Sequence, residues 1–351
     1  MNHLSDKGFV NPDGLFVFTG RGRDNLGERP WSVVLKILKN PGGVAEEGSH
    51  SYWKRELLVN QSGLLASMPE TIKAPRCYGT VEYSDGAWIW MEFIVSMESE
   101  HWDIQQWAAV ARKIGLFNGA YLLGTPLPQY SWFSKDLVRG RIMGCHPEGA
   151  QWDALQGWEN PYVKQHISAH LKERVTQLWI DSERFLSTLE VLPRTFAHLD
   201  LKRRNLFIRK RADGQDEVVA IDWAMCGIGF LGEDIATLIG VTARFLSWDP
   251  SAIQVLENAV TEPYITGLHE AGWRGNPDLI RLGCDIWYAM CLGVMAPSVI
   301  AIFTTEEKRS TILQIFGCQP DQLATAWATL CEFAVDRADE ARRLMTHLQL
   351  G

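Results

Sequence analysis

The sequence lacks several features that would assign it quickly, and each absence excludes a class of protein. Its seven cysteines, Cys77, Cys145, Cys226, Cys284, Cys291, Cys318 and Cys331, are odd in number and scattered, and no C-x-x-C pair occurs. That pattern argues against a disulfide framework or a zinc site and for reduced thiols. No internal repeat or low-complexity tract is present, which argues against a solenoid, a fibrous protein or a disordered chain. No long basic run accompanies the net charge of −8, so a nucleic-acid partner is not expected, because phosphate backbones are bound through clustered Lys and Arg. A cationic or neutral substrate suits that balance. The opening MNHLSDKGFV has no apolar core, so no signal peptide is expected and a cytoplasmic location is. One uncharged run, Ile286 to Phe303, approaches the ~20 residues needed to span a bilayer, but Pro297 and Ser298 interrupt it. It is expected to be a buried helix ending before Pro297, followed by another segment, and no membrane partner is expected.

What is present is enough apolar residue to build a core: 46% of the 351 residues are hydrophobic, which fits one large domain or two lobes. The first hundred residues read as strands around one helix. Apolar residues from Leu15 to Thr19 lead into a Gly20-Arg21-Gly22 turn, and a second strand follows at Trp31 to Leu38, where Lys36 is the single charge. A Pro-Gly-Gly turn spans 41–43. The spacing predicts a helix from Ser51 to Ala66 containing Glu56. Strands at Arg76 to Tyr83 and Ala87 to Ile94 are joined by Ser84-Asp85-Gly86.

Beyond about residue 98 the pattern becomes helical, with amphipathic stretches near 104–123, 163–190, 251–271, 277–295 and 321–348. Residues 126–160, rich in Trp, Gly and Pro, read as loops and short helices. A compact strand-rich insert, Asn205 to Lys210 and Glu217 to Ile221, flanks the turn Ala212-Asp213-Gly214-Gln215.

The chemistry concentrates around that insert. The string T-F-A-H-L-D-L-K-R-R-N-L-F-I places His198, Asp200 and Asn205 in H-x-D-x-x-x-x-N spacing before an apolar strand, and V-V-A-I-D-W ends a later strand with Asp222. Two carboxylates and an amide in this order are what phosphoryl transfer from Mg-ATP requires. One carboxylate orients the attacking hydroxyl and takes its proton. The other, with the amide oxygen, holds Mg²⁺, a hard cation that prefers oxygen. On this reading Asp200 is the base, and Asn205 and Asp222 are the metal ligands.

These two motifs resemble those of the aminoglycoside phosphotransferase and choline kinase-like family, which read roughly H-G-D-x-x-x-x-N and I-D-W. This chain departs from the first in having Leu199 where Gly is usual. The likeness continues through Gly227, Gly229 and the G-E-D-I-A run at 232–236, and backward to Lys36 and Glu56. The resemblance implies an α+β, bilobal protein kinase-like fold. A small antiparallel-sheet lobe with one main helix (residues 1–97) would bind nucleotide, and a larger, mainly helical lobe (residues 98–351) would carry catalysis and the acceptor. It further implies that Lys36, steadied by Glu56, contacts the α and β phosphates of ATP. Backbone groups near Glu92 to Ile94 would meet adenine at the hinge. Lys202, two residues after Asp200, resembles serine/threonine protein kinases more than this family, and is expected to neutralise γ-phosphate charge in the transition state. His198 is expected to be a hydrogen-bonded structural residue. No G-x-G-x-x-G is found; Gly20, Gly22 and Gly27 offer only a looser turn for phosphate contact.

The expected activity is transfer of the γ-phosphate of Mg-ATP to a hydroxyl of a small molecule, with an amino sugar or a choline-like amine among the candidates. Two alternatives stand beside it. A serine/threonine protein kinase-like enzyme is suggested by H-L-D-L-K-R-R-N, but Asp222 is followed by Trp-Ala instead of Phe-Gly, and no A-P-E appears where a peptide-binding activation loop would end. An inactive kinase-fold binding module is the other. For the acceptor, Trp102, Trp107, Trp132, Trp152 and Trp158 offer cation–π contact, and Asp153, Glu159, Glu233, Glu262 and Asp285 offer charge.

Overall fold

A computed structural model of the chain describes residues 2–3, 14–25, 27–42, 46–95, 102–144, 152–211 and 213–350. The expected bilobal α+β arrangement is observed. The first lobe is a five-stranded antiparallel sheet of β1 (Asn2–His3), β2 (Gly14–Asp24), β3 (Gly27–Lys39), β4 (Cys77–Tyr83) and β5 (Gly86–Glu92), in the order β1-β2-β3-β5-β4. The expected lobe boundary at 97/98 lies outside the described residues.

In β3, Lys36 is opposite Leu15 on one side and Ile89 on the other, while Val34 is opposite Val17 and Met91. Directly opposed residues share a face of a pleated sheet, so Val17, Val34 and Met91 lie on the same face as Lys36. Helix α1 (Arg55–Gln61) packs on that face through Leu57, which clusters with Ala87 and Ile89. The helix expected over Ser51 to Ala66 is shorter than its periodicity implied. It stops at Gln61, because Gly63 turns left-handed at φ 74°, and resumes as the short α2 (Leu64–Ser67).

A larger correction concerns Gly20 and Gly22. They lie inside β2, and the reversal comes later, where Asp24 pairs with Gly27. Gly20 is opposite Trp31, and a Cβ on Gly20 would sit 2.5 Å from the Trp31 indole. The glycines therefore make room for a cross-strand ring. From Gly27 to Lys36 the strand runs roughly 30 Å at ~3.3 Å per residue, which puts this reversal at the far end of the sheet from Lys36. The connection that enters β2 at the Lys36 end comprises residues 4–13, outside the described residues.

The second lobe is mainly helical: α3 (Ile104–Leu122), α4 (Leu137–Gly144), α5 (Trp152–Leu155), α6 (Pro161–His166), α7 (Ala169–Ile180) and α8 (Ser182–Val191) precede the segment from His198 to Asp222. The stretch expected as one helix over 163–190 is thus divided, with Ser168 capping α7 through the Leu171 N–H. Two two-stranded sheets follow. Strand β6 (Arg194–Ala197) pairs with β9 (Gly227–Phe230), and between them β7 (Leu206–Lys210) pairs with β8 (Asp216–Ala220). Then come α9 (Glu233–Arg244), α10 (Ile253–Glu270), α11 (Asp278–Tyr288), a π-helical turn (Ala289–Val294), α12 (Ala296–Phe303), α13 (Arg309–Phe316) and α14 (Pro320–His347). As expected, a buried helical run ends before Pro297, at Val294, and another segment, α12, follows. Proline sits in the first turn of α12, where its missing N–H costs no hydrogen bond. The stretch Asp278–Phe303 is long and apolar enough to cross a membrane, and 72% of its most apolar window is buried within the fold.

Helices α3 and α10 cross at backbone contact. A Cβ on Gly115 would lie 2.1 Å from the Tyr264 carbonyl oxygen, and one on Gly267 would lie 2.1 Å from that of Arg112. Gly115→Ala should therefore force the helices apart and cost about 1–3 kcal/mol in urea unfolding. Gly79→Ala, which meets open space, should stay within about 0.5 kcal/mol of wild type. Equal stability of the two variants would show that the close crossing is not required.

Candidate active site

Sequence distance is closed by the β7–β8 hairpin. Asn205 immediately precedes β7, Ile221 immediately follows β8, and the Ile221 N–H donates to the Asn205 carbonyl at 2.9 Å. Asp222 is the next residue and is left-handed, at φ 65° and ψ 61°. That conformation is unusual for a residue with a Cβ. It turns the chain out of the strand.

The Asp222 carboxylate meets Lys36 of β3, with Nζ to Oδ1 at 2.8 Å, and Lys36 also contacts Glu56 Oε2 at 2.6 Å. The Lys36 side chain is 12% exposed and that of Glu56 4%. Burial alone would lower the lysine, but Asp222 and Glu56 hold its ammonium well above the ordinary range. Burial pushes the Glu56 carboxyl up, against the pull of Lys36. For Asp222 burial also acts upward, yet Lys36, Lys202 and His198 together bring its pKa down to about 2.

In the loop that follows β6, the candidate catalytic loop, Asp200 Oδ2 accepts from Lys202 Nζ at 3.0 Å and from Asn205 Nδ2 at 3.2 Å. Asn205 Nδ2 also donates to the Asp200 carbonyl at 2.9 Å. With its amide N–H groups committed, Asn205 has its Oδ1 left as an acceptor. His198 holds the loop from beneath. Its Nδ1 accepts from the Asp200 N–H at 3.2 Å, so its Nε2 is the donor to the Ile221 carbonyl at 2.9 Å. The imidazole also packs on Trp223, with ring centroids 4.5 Å apart.

Leu199, where the family has glycine, is left-handed at φ 64°. For an L-residue this costs about 1–2 kcal/mol. The side chain is 1% exposed and packs with Leu137, Ala197 and Met225; burying a leucine contributes about 1.5–3 kcal/mol and offsets the strain. The backbone is pinned by a residue whose role the sequence did not reveal. Asp234 accepts from the Leu199 N–H at 2.8 Å and the His198 N–H at 3.2 Å. Asn118 of α3 donates to the Phe196 carbonyl at 3.2 Å and accepts from Tyr264 of α10 at 3.0 Å, and the Tyr264 hydroxyl accepts from the Gly232 N–H at 3.1 Å. The close α3–α10 crossing thereby braces the catalytic loop. Burial raises the Asp234 carboxyl, opposed by His198 and the two backbone N–H groups. Its place in G-E-D-I-A was the only sequence signal; nothing in α3 marked Asn118.

One expectation needs adjustment at the hinge. The Glu92 N–H is taken by the Arg76 carbonyl at 2.9 Å, so it is not available to a ligand. The Glu92 side chain joins Arg209 of β7 at 2.6 Å, making it a strut between the lobes. Ile94 lies two residues beyond β5 and is half-buried. The five tryptophans flagged for cation–π contact form no open cage. Trp102 packs edge-on to Trp107 at 5.0 Å and receives the Arg203 guanidinium at 4.0 Å. Trp132 stacks on Tyr130, Trp152 stacks on Trp179, and Trp158 faces Lys172. Four of the five flagged acids are also engaged elsewhere: Glu159 with Lys164, Glu262 with Arg281, Glu233 with the Phe230 N–H, and Asp285 facing Arg337.

Asp222 and Asn205 oxygens on adjacent strand ends fit a hard divalent cation that takes one or two protein ligands and completes its shell with phosphates and water. Among the described residues no cluster of three or more His, Cys, Asp or Glu forms a metal site.

The low Asp222 pKa makes a signed prediction. A carboxyl that binds its proton more weakly folded than unfolded contributes stability in full above its ordinary value near 3.8, and that stability is lost as pH falls towards about 2. Urea melts from about pH 5 down to about pH 2.5 should show wild type losing more stability than Asp222→Asn. Parallel losses would show that the Lys36–Asp222 pair does not form in solution.

Residues 135–271 match the model of a family described as the phosphotransferase enzyme family (APH). The resemblance read from the motifs is thus met over the segment that carries Asp200, Asn205, Asp222 and Asp234. No curated protein matches the chain by sequence. Among solved structures, a choline kinase from Cryptosporidium parvum Iowa II is 13% identical, covers 99% of this chain and 90% of its own, and superposes with a TM-score of 0.51. An amicoumacin kinase in complex with AMP-PNP, Ca²⁺ and Ami is 11% identical, covering 95% of this chain and 87% of its own, at a TM-score of 0.49. A Plasmodium vivax ethanolamine kinase is 13% identical, covering 90% and 81%, at 0.44. At such identity the likeness to the choline kinase is one of fold.

Proposed function

We propose that this chain, whose catalytic segment matches a family of phosphotransferases, moves the γ-phosphoryl group of Mg-ATP to a hydroxyl of a small acceptor. The observation that carries the reading is the convergence of Lys36, Glu56, Asp200, Asn205 and Asp222 from separate elements of the two lobes. Asp200 has one carboxylate oxygen, Oδ2, held by Lys202 and Asn205, which orients Oδ1 to accept the proton of the acceptor hydroxyl. Lys202 stands beside that carboxylate and adds positive charge where the transferred group gathers negative charge. Lys36, steadied by Glu56, would contact nucleotide phosphate oxygens, and the Asp222 carboxylate and Asn205 Oδ1 would hold Mg²⁺. When bound, the cation neutralises the phosphate charge and orients the leaving group. Val17, Val34 and Met91 on the Lys36 face give adenine an apolar ceiling, and polar backbone contact falls to the segment beyond Glu92.

The acceptor is approached by exclusion. With the flagged tryptophans packed against one another and against the protein's own cations, a quaternary amine held in a cage of those rings is disfavoured. A hydroxyl acceptor recognised by polar contacts beside the catalytic loop is the reading retained.

Asp200→Ala should fold and keep Mg-dependent nucleotide binding while transfer falls roughly 100- to 10,000-fold. The measurement is a radiolabelled γ-phosphate transfer screen over amino sugars, choline analogues and metabolite alcohols. Near wild-type turnover in the variant would remove Asp200 from the mechanism. Failure of the wild type to bind nucleotide in a Mg²⁺-dependent way would sink the kinase reading itself.

A further inference from the structure

Next to Glu56 in α1 lies a charged residue that touches none of the proposed catalytic groups and is more deeply buried than any of them. Arg55 is 0% exposed. Its Nε donates to the Trp132 carbonyl at 2.7 Å, its Nη1 donates to the Ala224 carbonyl at 2.9 Å, and its Nη2 donates to the Ser49 carbonyl. All three partners are backbone carbonyls. Taking a guanidinium out of water without a carboxylate partner is costly, and an apolar side chain would fill the same space without that cost. The three carbonyls belong to three separate segments. Ser49 lies in the loop before α1, Trp132 lies between α3 and α4, and Ala224 lies two residues after Asp222.

The same segments are stitched to one another nearby. The Ser134 N–H donates to the Cys226 carbonyl at 3.1 Å, and the Lys135 N–H donates to the Gly48 carbonyl at 3.2 Å. Arg55 is the side chain at the centre of this junction. The planar guanidinium aims donors from three separate nitrogens, Nε, Nη1 and Nη2, at carbonyls of three separate segments; an ammonium also has three donors, but all on one nitrogen, and cannot span that spread.

We infer that Arg55 is a positioning residue that locks helix α1, and with it the Glu56–Lys36 pair, to the loop carrying Asp222. This inference rests on the kinase reading above, because it assigns Arg55 a role in placing the nucleotide and metal groups. The lock fixes α1 against the second lobe before any ligand arrives. Helix position is then a built-in constant of this enzyme and needs no separate ordering event.

The test titrates a fluorescent ATP analogue with and without Mg²⁺ against wild type, Arg55→Met, Arg55→Lys and, as a packing control, Leu57→Ala, which truncates a buried residue of the same helix. The Mg²⁺-induced gain in affinity should fall about 10- to 100-fold in Arg55→Met. Arg55→Lys, which keeps the charge and loses the fork, should behave like it. Leu57→Ala should lose thermal stability and keep the gain. A folded Arg55→Met with the wild-type gain would overturn the inference, as would full rescue by lysine. A second measurement needs no variant. In wild type, a non-hydrolysable ATP analogue with Mg²⁺ should slow hydrogen exchange in residues 130–136, which are assigned no ligand contact, together with 222–228. Slowing confined to 222–228 would refute the lock. Absence of Mg²⁺-dependent binding by the wild type would instead refute the kinase reading, so the two failures are distinguishable.

Discussion

The shared ammonium of Lys36 is the interaction on which the rest of the site depends. It is nearly buried, and it contacts Glu56 from the first lobe's helix and Asp222 from the second lobe's hairpin. A lysine in that position without carboxylates would lose its proton or leave the interior. With them, strand β3, helix α1 and the end of β8 are held in one geometry. The ammonium between them offsets part of the repulsion between two carboxylates held close together. Opposite charges are thus balanced against one another within the site.

That balance is useful only if the groups stay where they are, and the second lobe is built to keep them there. Two left-handed residues, Leu199 and Asp222, flank the catalytic loop. Neither is a conformation the chain adopts cheaply. The Leu199 strain is held by Asp234 below and by burial of its side chain, and the Asp222 turn is closed by the Ile221–Asn205 hydrogen bond. Asn118 and Tyr264 extend the support into two helices that touch through glycine. Buried polar networks of this kind stabilise when every member is satisfied, and here the chain of donors and acceptors runs from Gly232 to Phe196. Glu92 and Arg209 add a strut between the lobes.

Local patterns in the sequence carried much of this. Alternation and turn residues located the β4–β5 and β7–β8 hairpins to within a residue or two, and the long amphipathic stretches became α3, α10 and α14. Spacing errors arose where a residue's neighbour decides its meaning. Gly20 and Gly22 resemble a turn in one dimension, but they are strand glycines because Trp31 lies across them. Five tryptophans resemble an aromatic cage, but their faces are occupied by other rings and by Arg203 and Lys172. Helical periodicity continues past Gln61, yet the positive φ of Gly63 breaks the helix.

The sequence by itself determined which residues could do the chemistry. Asp200, Asn205 and Asp222 stand in an order whose side-chain types suit proton acceptance and magnesium, and Lys36 is the one charge in an apolar strand. Those inferences are local, since they depend on residue type, spacing and strand or helix periodicity. Only the tertiary structure decided that Glu56 and Asp222 meet on one ammonium, that Asp234, Asn118 and Tyr264 support the catalytic loop, and that Arg55 joins three backbones. Hydrogen bonds from a side chain to carbonyls 77 and 169 residues away leave no periodicity in the sequence, because a carbonyl is the same whichever residue bears it.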